Sequence, residues 1–315
     1  MKAAEADSAL LSWVRERYPG TYADGKPFDE IGYLQCKLIL KPDRFTSKQV
    51  FKDFAHLVKR AAEPLGVDYK PTWGRERPQI REVLFLDTGH FHLYNNAFIV
   101  RRRIAYEDGF PISDPEIVFK FRHPDPRHAA ATDVRPNIAG KYKTKFKVEL
   151  MPTPDRVGGM RRLMSHNVEF ALSQAPEAKR MVMASLSHMS LGDLAEIFPL
   201  LNGIQCEDAD EIALVNQTIV EELLEDICEL DFGHGAKATA NLALWRSRGD
   251  HHAFVGEFAF QFRIKNREQI SPKALATCEH FFILLQHLAE DWLALTTTKT
   301  GAVYRLKGNP PQSHE

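Results

Sequence analysis

Basic side chains recur at every second position in two neighbouring stretches of the sequence, FIVRRRI at 98–104 and EIVFKFR at 116–122. Successive side chains of a β-strand point to opposite faces of the sheet. If both stretches are strands, each has apolar residues on one face and bases on the other. Four strong cations then collect on one surface, where they could hold an anion. These bases are Arg101, Arg103, Lys120 and Arg122.

Three further stretches, 33–41, 141–149 and 255–263, show the same polarity. Like charges that face each other in a sheet are destabilising unless acids or a bound anion compensate them. The recurrence therefore favours an anion-binding surface. The alternative is that the lysines lie on a solvated sheet face or protect an edge strand. The charged residues in these stretches include Lys37, Lys145, Lys147, Glu149, Glu257 and Arg263.

The remaining periodicity predicts helices around these strands. Residues 46–65 and 271–294 have apolar side chains at helical spacing. Residues 156–232 lose the two-residue period, which predicts a long helical segment with an acidic stretch at 221–231. A short final strand is expected at 302–306. The overall class is α+β.

Composition limits the protein class. The chain has 315 residues, 44% of them hydrophobic, and its 41 bases and 42 acids give a formal charge of −1. That balance excludes a globally basic protein that binds duplex nucleic acid. We expect an N-terminal helical appendage at 1–26, one domain at 27–307 with the helical segment inside it, and a disordered tail at 308–315.

Cysteine usage and the absence of long apolar runs bear on location. The four cysteines are widely spaced without a C-x-x-C pair, and the first residues lack the apolar core of a signal peptide. No apolar run approaches the roughly 18 residues that span a membrane. These features predict a cytoplasmic protein with reduced thiols and no membrane partner.

The order of these elements resembles the CYTH family of triphosphate tunnel enzymes. The resemblance covers roughly residues 30–306 and is strongest in the Asp-Thr turn at Asp87, in LYNNAFIVRRR at 93–103, in the K-x-R strand that follows, and around 254–264. It implies a closed or nearly closed antiparallel β-barrel with helices packed outside. The polar lumen of such a barrel binds a triphosphate or a related small phosphorylated anion.

The resemblance also implies site residues. The family's first strand carries E-x-E-x-K, whereas this chain has Tyr33, Gln35 and Lys37 at the three matching positions. Mg²⁺ or Mn²⁺ needs hard oxygen ligands, so the loss of both acids argues against either metal. Glu149 and Glu257 are the remaining candidate metal ligands. The implied anion-binding bases are Lys37, Arg101, Arg103, Lys120, Arg122, Lys145, Lys147, Arg263 and Lys299.

Three functions remain open. The favoured one is a protein that binds a phosphorylated polyanion and whose metal-dependent hydrolysis is weak or lost. The first alternative is an active metal-dependent triphosphatase or phosphohydrolase with Glu149, Glu257 and Asp87 as catalytic residues, although Asp87 could equally cap a turn. The second is an interaction protein that acts through the segment 156–232. The sequence does not decide whether the chain is an enzyme, nor its oligomeric state.

Overall fold

The computed structural model describes residues 8–182, 188–204, 210–264 and 271–307. Within these ranges the chain forms twelve β-strands and seven α-helices. The strands are β1 (Ile31–Leu40), β2 (Asp68–Pro71), β3 (Gln79–Thr88), β4 (Phe98–Glu107), β5 (Phe110–Pro111), β6 (Glu116–His123), β7 (Lys143–Thr153), β8 (Arg156–Ala171), β9 (Ile212–Leu214), β10 (Val220–Asp231), β11 (Lys237–Ser247) and β12 (Ala253–Arg263). The helices are α1 (Ala9–Arg15), α2 (Gln49–Ala62), α3 (His92–Asn95), α4 (Pro126–Ala131), α5 (Leu191–Ile197), α6 (Pro272–Leu288) and α7 (Lys299–Tyr304).

Nine of these strands close into one barrel. Hydrogen bonding runs around the ring in the order β3, β4, β6, β8, β7, β1, β12, β11 and β10, and β10 pairs with β3 to close it. All neighbours in the ring are antiparallel except β1 and β7, which run parallel. The predicted closed barrel with helices outside is thus confirmed, with one parallel pair that the expected antiparallel barrel did not include.

The two faces of the barrel wall have the predicted polarity. Leu34 of β1, Phe119 of β6 and Phe146 of β7 point outward and are buried in the main apolar core. Residues of the opposite face of these strands, including Lys37 and Lys120, line the interior. Because side chains alternate along a strand, a shift of one residue would have reversed both faces.

Helices α2 and α6 cover the outer apolar face. Val50, Phe54 and Val58 of α2 recur at helical spacing and are buried in the core between this helix and the barrel. Helix α6 begins after Ser271, whose hydroxyl accepts a hydrogen bond from the Ala274 N–H at 3.3 Å. Helix α2 contacts both α6 and β10, and α6 contacts β8.

The N-terminal helix α1 packs on the same core. Leu10 and Val14 are fully buried, and the Ser8 hydroxyl donates to Glu279 Oε2 at 2.8 Å. The boundary predicted at residue 26 stays a prediction. The first seven residues and the predicted disordered tail at 308–315 lie outside the described residues.

The prediction of a helical segment at 156–232 was wrong. Most of its described residues form the barrel strands β8 and β10, the short strand β9 and 3-10 turns, and α5 is its α-helix. In β8 both faces are buried from Leu163 to Val168, which hides the two-residue period. In β10 the pairing shifts register between Asp226 and Cys228, so apolar residues on either side of the shift mimic helical spacing. The strand expected at 302–306 was also wrong, because most of it belongs to α7.

A second apolar cluster fills one end of the barrel interior. It combines inward-facing residues from the ends of several strands with residues of α7, which packs across that end. The lumen is therefore closed at this end and polar towards the other. The cluster consists of Ile39, Val83, Phe85, Tyr94, Ile99, Met151, Leu163, Val215, Val220, Trp245, Val255, Val303 and Tyr304.

Among the described residues, no helix is long and apolar enough to cross a membrane.

Candidate functional site

The polar part of the lumen is a cavity of about 600 Å³, within the size range of small-molecule sites. Nine bases and five acids line it, a formal excess of four positive charges. Eight of the nine predicted binding bases are among them. The bases are Lys37, Arg81, Arg101, Arg103, Lys120, Arg122, Lys145, Lys147 and Lys299, and the acids are Glu149, Glu169, Glu222, Asp226 and Glu257.

Glu149 of β7 is the most enclosed acid of the lumen, with 1% of its surface exposed. Its Oε1 lies 2.9 Å from both Lys37 Nζ and Lys120 Nζ, and its Oε2 lies 3.4 Å from Arg122. Burial alone would raise the pKa of Glu149, but these three cations outweigh burial and hold the pKa well below its usual range. Glu149 is thus ionised and surrounded by positive charge.

Arg101 of β4 faces the cavity without a carboxylate partner among the described residues. Its buried Nε has no hydrogen-bond acceptor. Burial, reinforced by the neighbouring Arg103, lowers the pKa of Arg101 to about 10. The guanidinium remains charged at neutral pH. A buried donor without an acceptor is costly, so this group is suited to receive an anion.

Lys147 of β7 is the second such cation within the described ranges. Its ammonium donates to the neutral amide Oε1 of Gln261 at 3.1 Å and lies 5.5 Å from the ring centre of Tyr33. Burial, together with the nearby charge of Lys37, lowers the pKa of Lys147 to about 8. By contrast, Lys145 and Arg103 are each paired with an acid, Glu169 and Glu116 respectively.

The closed end of the cavity has a different character. Lys299 Nζ, at the start of α7, lies 2.8 Å from Glu257 Oε1 and 3.1 Å from Glu222 Oε1. The Trp245 indole N–H donates to Glu222 Oε1 at 2.7 Å. Burial would raise the pKa of Glu222, but Lys299 and Arg81 outweigh burial and lower it to about 2. Lys299 is therefore already neutralised by protein carboxylates.

Two predicted site residues lie elsewhere. Arg263, at the end of β12, is exposed and does not line the cavity. Asp87 is buried beside the apolar end of the barrel, where its carboxylate accepts N–H hydrogen bonds from Thr88, Leu93 and Tyr94. Burial raises the pKa of Asp87 to about 7 despite these bonds. Its contacts are those of a residue that fixes the turn before α3, away from the charged lumen.

Glu149 and Glu257, the two predicted metal ligands, do not fit a shared divalent metal ion. Glu149 is in register with Gln35 and Glu257 with Ile39, on opposite sides of β1. Four residues along a strand span about 13 Å, so the two carboxylates are too far apart to bind one ion. Each is also already paired with lysine. No group of three or more metal-ligating side chains occurs in the described part of the chain.

The sequence interpretation missed several lumen residues. Glu222 and Asp226 were assigned to a helix, and Glu169 was assigned to the same segment, so none was placed on the charged surface. Arg81 lies outside the stretches predicted as charged strands, although it belongs to β3, which begins at Gln79. No alternation marks Glu222 and Asp226 in the sequence, because Leu224 shares their face and the acids Glu221 and Glu225 lie on the opposite one.

No family model and no curated protein matches the chain. Among solved structures, a Hippeastrum protein provisionally described as an adenylyl cyclase, with a dominant triphosphatase activity, is 14% identical, with 87% of this chain and 95% of that chain covered and a TM-score of 0.39. Proteins from Bacillus halodurans and Vibrio parahaemolyticus, both provisionally described as adenylate cyclases, are 12% and 10% identical. The first alignment covers 76% of this chain and 83% of that one (TM-score 0.34). The second covers 87% and 98% (TM-score 0.36). At these values the likeness does not bear on activity.

Proposed function

We propose that the chain binds a phosphorylated polyanion, such as a triphosphate, in the charged lumen of the barrel, and that metal-dependent hydrolysis is weak or lost. The observation that carries the proposal is the uncompensated positive charge of the cavity. Arg101 and Lys147 point into it without a carboxylate partner in the described ranges. Clustered bases in a cavity with apolar walls focus positive potential on an anion inside it.

The distribution of charge supports a site for an extended anion. The unpaired cations lie on β4 and β7, while the base at the closed end is held by Glu222 and Glu257. Guanidinium and ammonium groups form charge-assisted hydrogen bonds to phosphoryl oxygens. A phosphate chain can therefore supply both the acceptor that Arg101 Nε lacks and the negative charge that Lys147 lacks.

Calorimetry tests binding. Inorganic triphosphate, ATP and sulfate are titrated into the protein at low ionic strength, and triphosphate is expected to bind more tightly than sulfate and more weakly as salt is added. Arg101→Met should weaken triphosphate binding by roughly tenfold to a hundredfold, the equivalent of a charged hydrogen bond of roughly 1.5–3 kcal/mol. Absence of binding by all three anions removes the proposal.

Arg102→Met is the matched control for this experiment. Arg102 is also a buried arginine of β4 with side-chain nitrogens that lack an acceptor, but it points to the outer face of the wall. The substitution is expected to change stability, while the affinity of the control variant for triphosphate should equal that of the wild type. Equal weakening by both substitutions would mean that the lumen is not the site.

Catalysis is tested separately by phosphate release from triphosphate in the presence of Mg²⁺ or Mn²⁺. Ground-state binding by bases does not require turnover, since only interactions that strengthen in the transition state accelerate a reaction. We expect a rate far below the enzyme median of about 10 s⁻¹. A rate near that value would favour the metal-dependent triphosphatase with Glu149 and Glu257 as its acids.

The third candidate, an interaction protein that acts through a long helical segment at 156–232, loses its basis. The stretch 221–231 is part of β10 in the barrel wall, and Glu222 and Asp226 face the lumen.

A further inference from the structure

Lys299 lies at the closed end of the lumen between two buried carboxylates. Its Nζ is 2.8 Å from Glu257 Oε1, 3.1 Å from Glu222 Oε1 and 4.6 Å from the ring centre of Trp245. An ammonium has three N–H donors and no acceptor. Two donors are directed to the carboxylates and the remaining side of the group faces the indole ring. Lys299 therefore has little capacity left to bind an anion in the cavity.

The helix that carries Lys299 is held at both ends. The Thr298 hydroxyl accepts the Gly301 N–H at 3.0 Å and caps the start of α7. The Asn216 side-chain amide donates to the Val303 and Tyr304 carbonyls at 2.8 and 3.0 Å at its end. The Tyr304 ring stacks on Tyr94 with a centroid distance of 4.1 Å. These contacts fix the backbone position from which the Lys299 side chain reaches the two acids.

Two converging carboxylates in a buried cavity are also a typical ligand pair for a hard divalent cation. We propose that Lys299 is a resident counter-cation that neutralises Glu222 and Glu257 and thereby excludes divalent metal ions from the lumen. The protein would then bind its ligand without a metal because one of its own side chains already supplies the positive charge there. Removal of the ammonium should open a metal site between the two acids.

The electrostatics of the group agree with this role. Burial would lower the pKa of Lys299, but Glu257 and Glu222 outweigh burial and raise it. A metal ion would therefore have to displace a charged ammonium. Glu149 offers no second site, because three bases already surround it.

The inference goes beyond the proposed function, and its test needs no phosphate ligand, so either can fail without the other. Mn²⁺ is titrated into the metal-free protein and free Mn²⁺ is followed by electron paramagnetic resonance. The wild type should show no saturable Mn²⁺ site that depends on Glu257, whereas Lys299→Met should gain one Mn²⁺ per chain. Adding Glu257→Gln to Lys299→Met should abolish the gained site.

Lys147→Met is the matched control. It removes another lumen ammonium, but this one contacts the neutral amide of Gln261, so no Mn²⁺ site should appear. Failure of Lys299→Met to gain a site overturns the proposal. So does saturable Mn²⁺ binding by the wild type that Glu257→Gln removes. The comparison of the wild type with Glu257→Gln can overturn the proposal even if Lys299→Met does not fold. Lys299→Arg, which keeps the positive charge, should bind no Mn²⁺.

Discussion

Replacement of Glu149 by glutamine should change stability and ligand affinity in opposite directions. The substitution keeps the shape of the side chain but removes the negative charge that contacts Lys37, Lys120 and Arg122. Three cations would then share a buried space without a carboxylate between them. The folded protein loses favourable ion pairs, while an incoming anion no longer competes with the Glu149 carboxylate for these three cations.

The magnitude of both effects can be estimated. Removal of one partner from a buried ion pair costs roughly 3–5 kcal/mol, because a buried charge is left uncompensated. We expect the free energy of unfolding of Glu149→Gln to fall by about that amount. A unit charge at about 5.5 Å and an effective dielectric constant of about 20 contributes about 3 kcal/mol. Even a fraction of this repulsion, once removed, should tighten triphosphate binding by about tenfold or more.

Urea unfolding and calorimetry with triphosphate measure the two quantities on the same samples. Added triphosphate or sulfate should restore part of the lost stability, because an anion that binds only the folded state stabilises it. The reasoning is refuted if Glu149→Gln binds triphosphate more weakly than the wild type. That result would mean that the carboxylate helps to hold the ligand, as a metal ligand would.

Three further outcomes follow from the same contacts. Because burial lowers the pKa of Lys147 to about 8, the triphosphate affinity of the wild type should fall as pH rises above 8 relative to that of Lys147→Arg, which stays charged. Calorimetry at several pH values gives the ratio of the two affinities, and a ratio that does not change with pH would contradict the prediction. Asp87→Asn places an N–H₂ group among N–H donors and should cost roughly 1–3 kcal/mol of unfolding free energy with triphosphate affinity unchanged; a selective loss of binding would instead make Asp87 a site residue. Tyr33→Glu combined with Gln35→Glu should raise affinity for Mn²⁺ in a calorimetric titration, and no gain in metal binding would show that these residues were wrongly matched to the family's first strand.

The charged lumen was predictable because bases alternate with apolar residues along β4 and β6. Apart from Arg102 and His123, the outward residues beside the lumen bases are apolar, such as Val100 and Phe119, and are buried in the outer core. This pattern can be recognised from a few consecutive residues of the sequence. The same local signal fails in β8, where both faces are buried, and in β10, where a register shift interrupts the alternation.

The pairing of charges was beyond the reach of local patterns. Lys299 meets Glu222 across 77 positions of sequence, through a helix that packs against strand ends. Its classification as an anion-binding base rested on the family resemblance, and the structure gives its charge two carboxylate partners. Asp87 shows the same limit, since its Tyr304 hydrogen bond at 3.1 Å joins the turn to the end of α7.

A crystal structure of the protein with inorganic triphosphate tests the central claim most directly. The account predicts phosphoryl oxygens inside the barrel, within hydrogen-bond distance of the Arg101 guanidinium and of Lys147 Nζ, and no divalent ion between Glu222 and Glu257. Triphosphate bound only on the outer surface, or held in the lumen by a metal ion on Glu149, would contradict it.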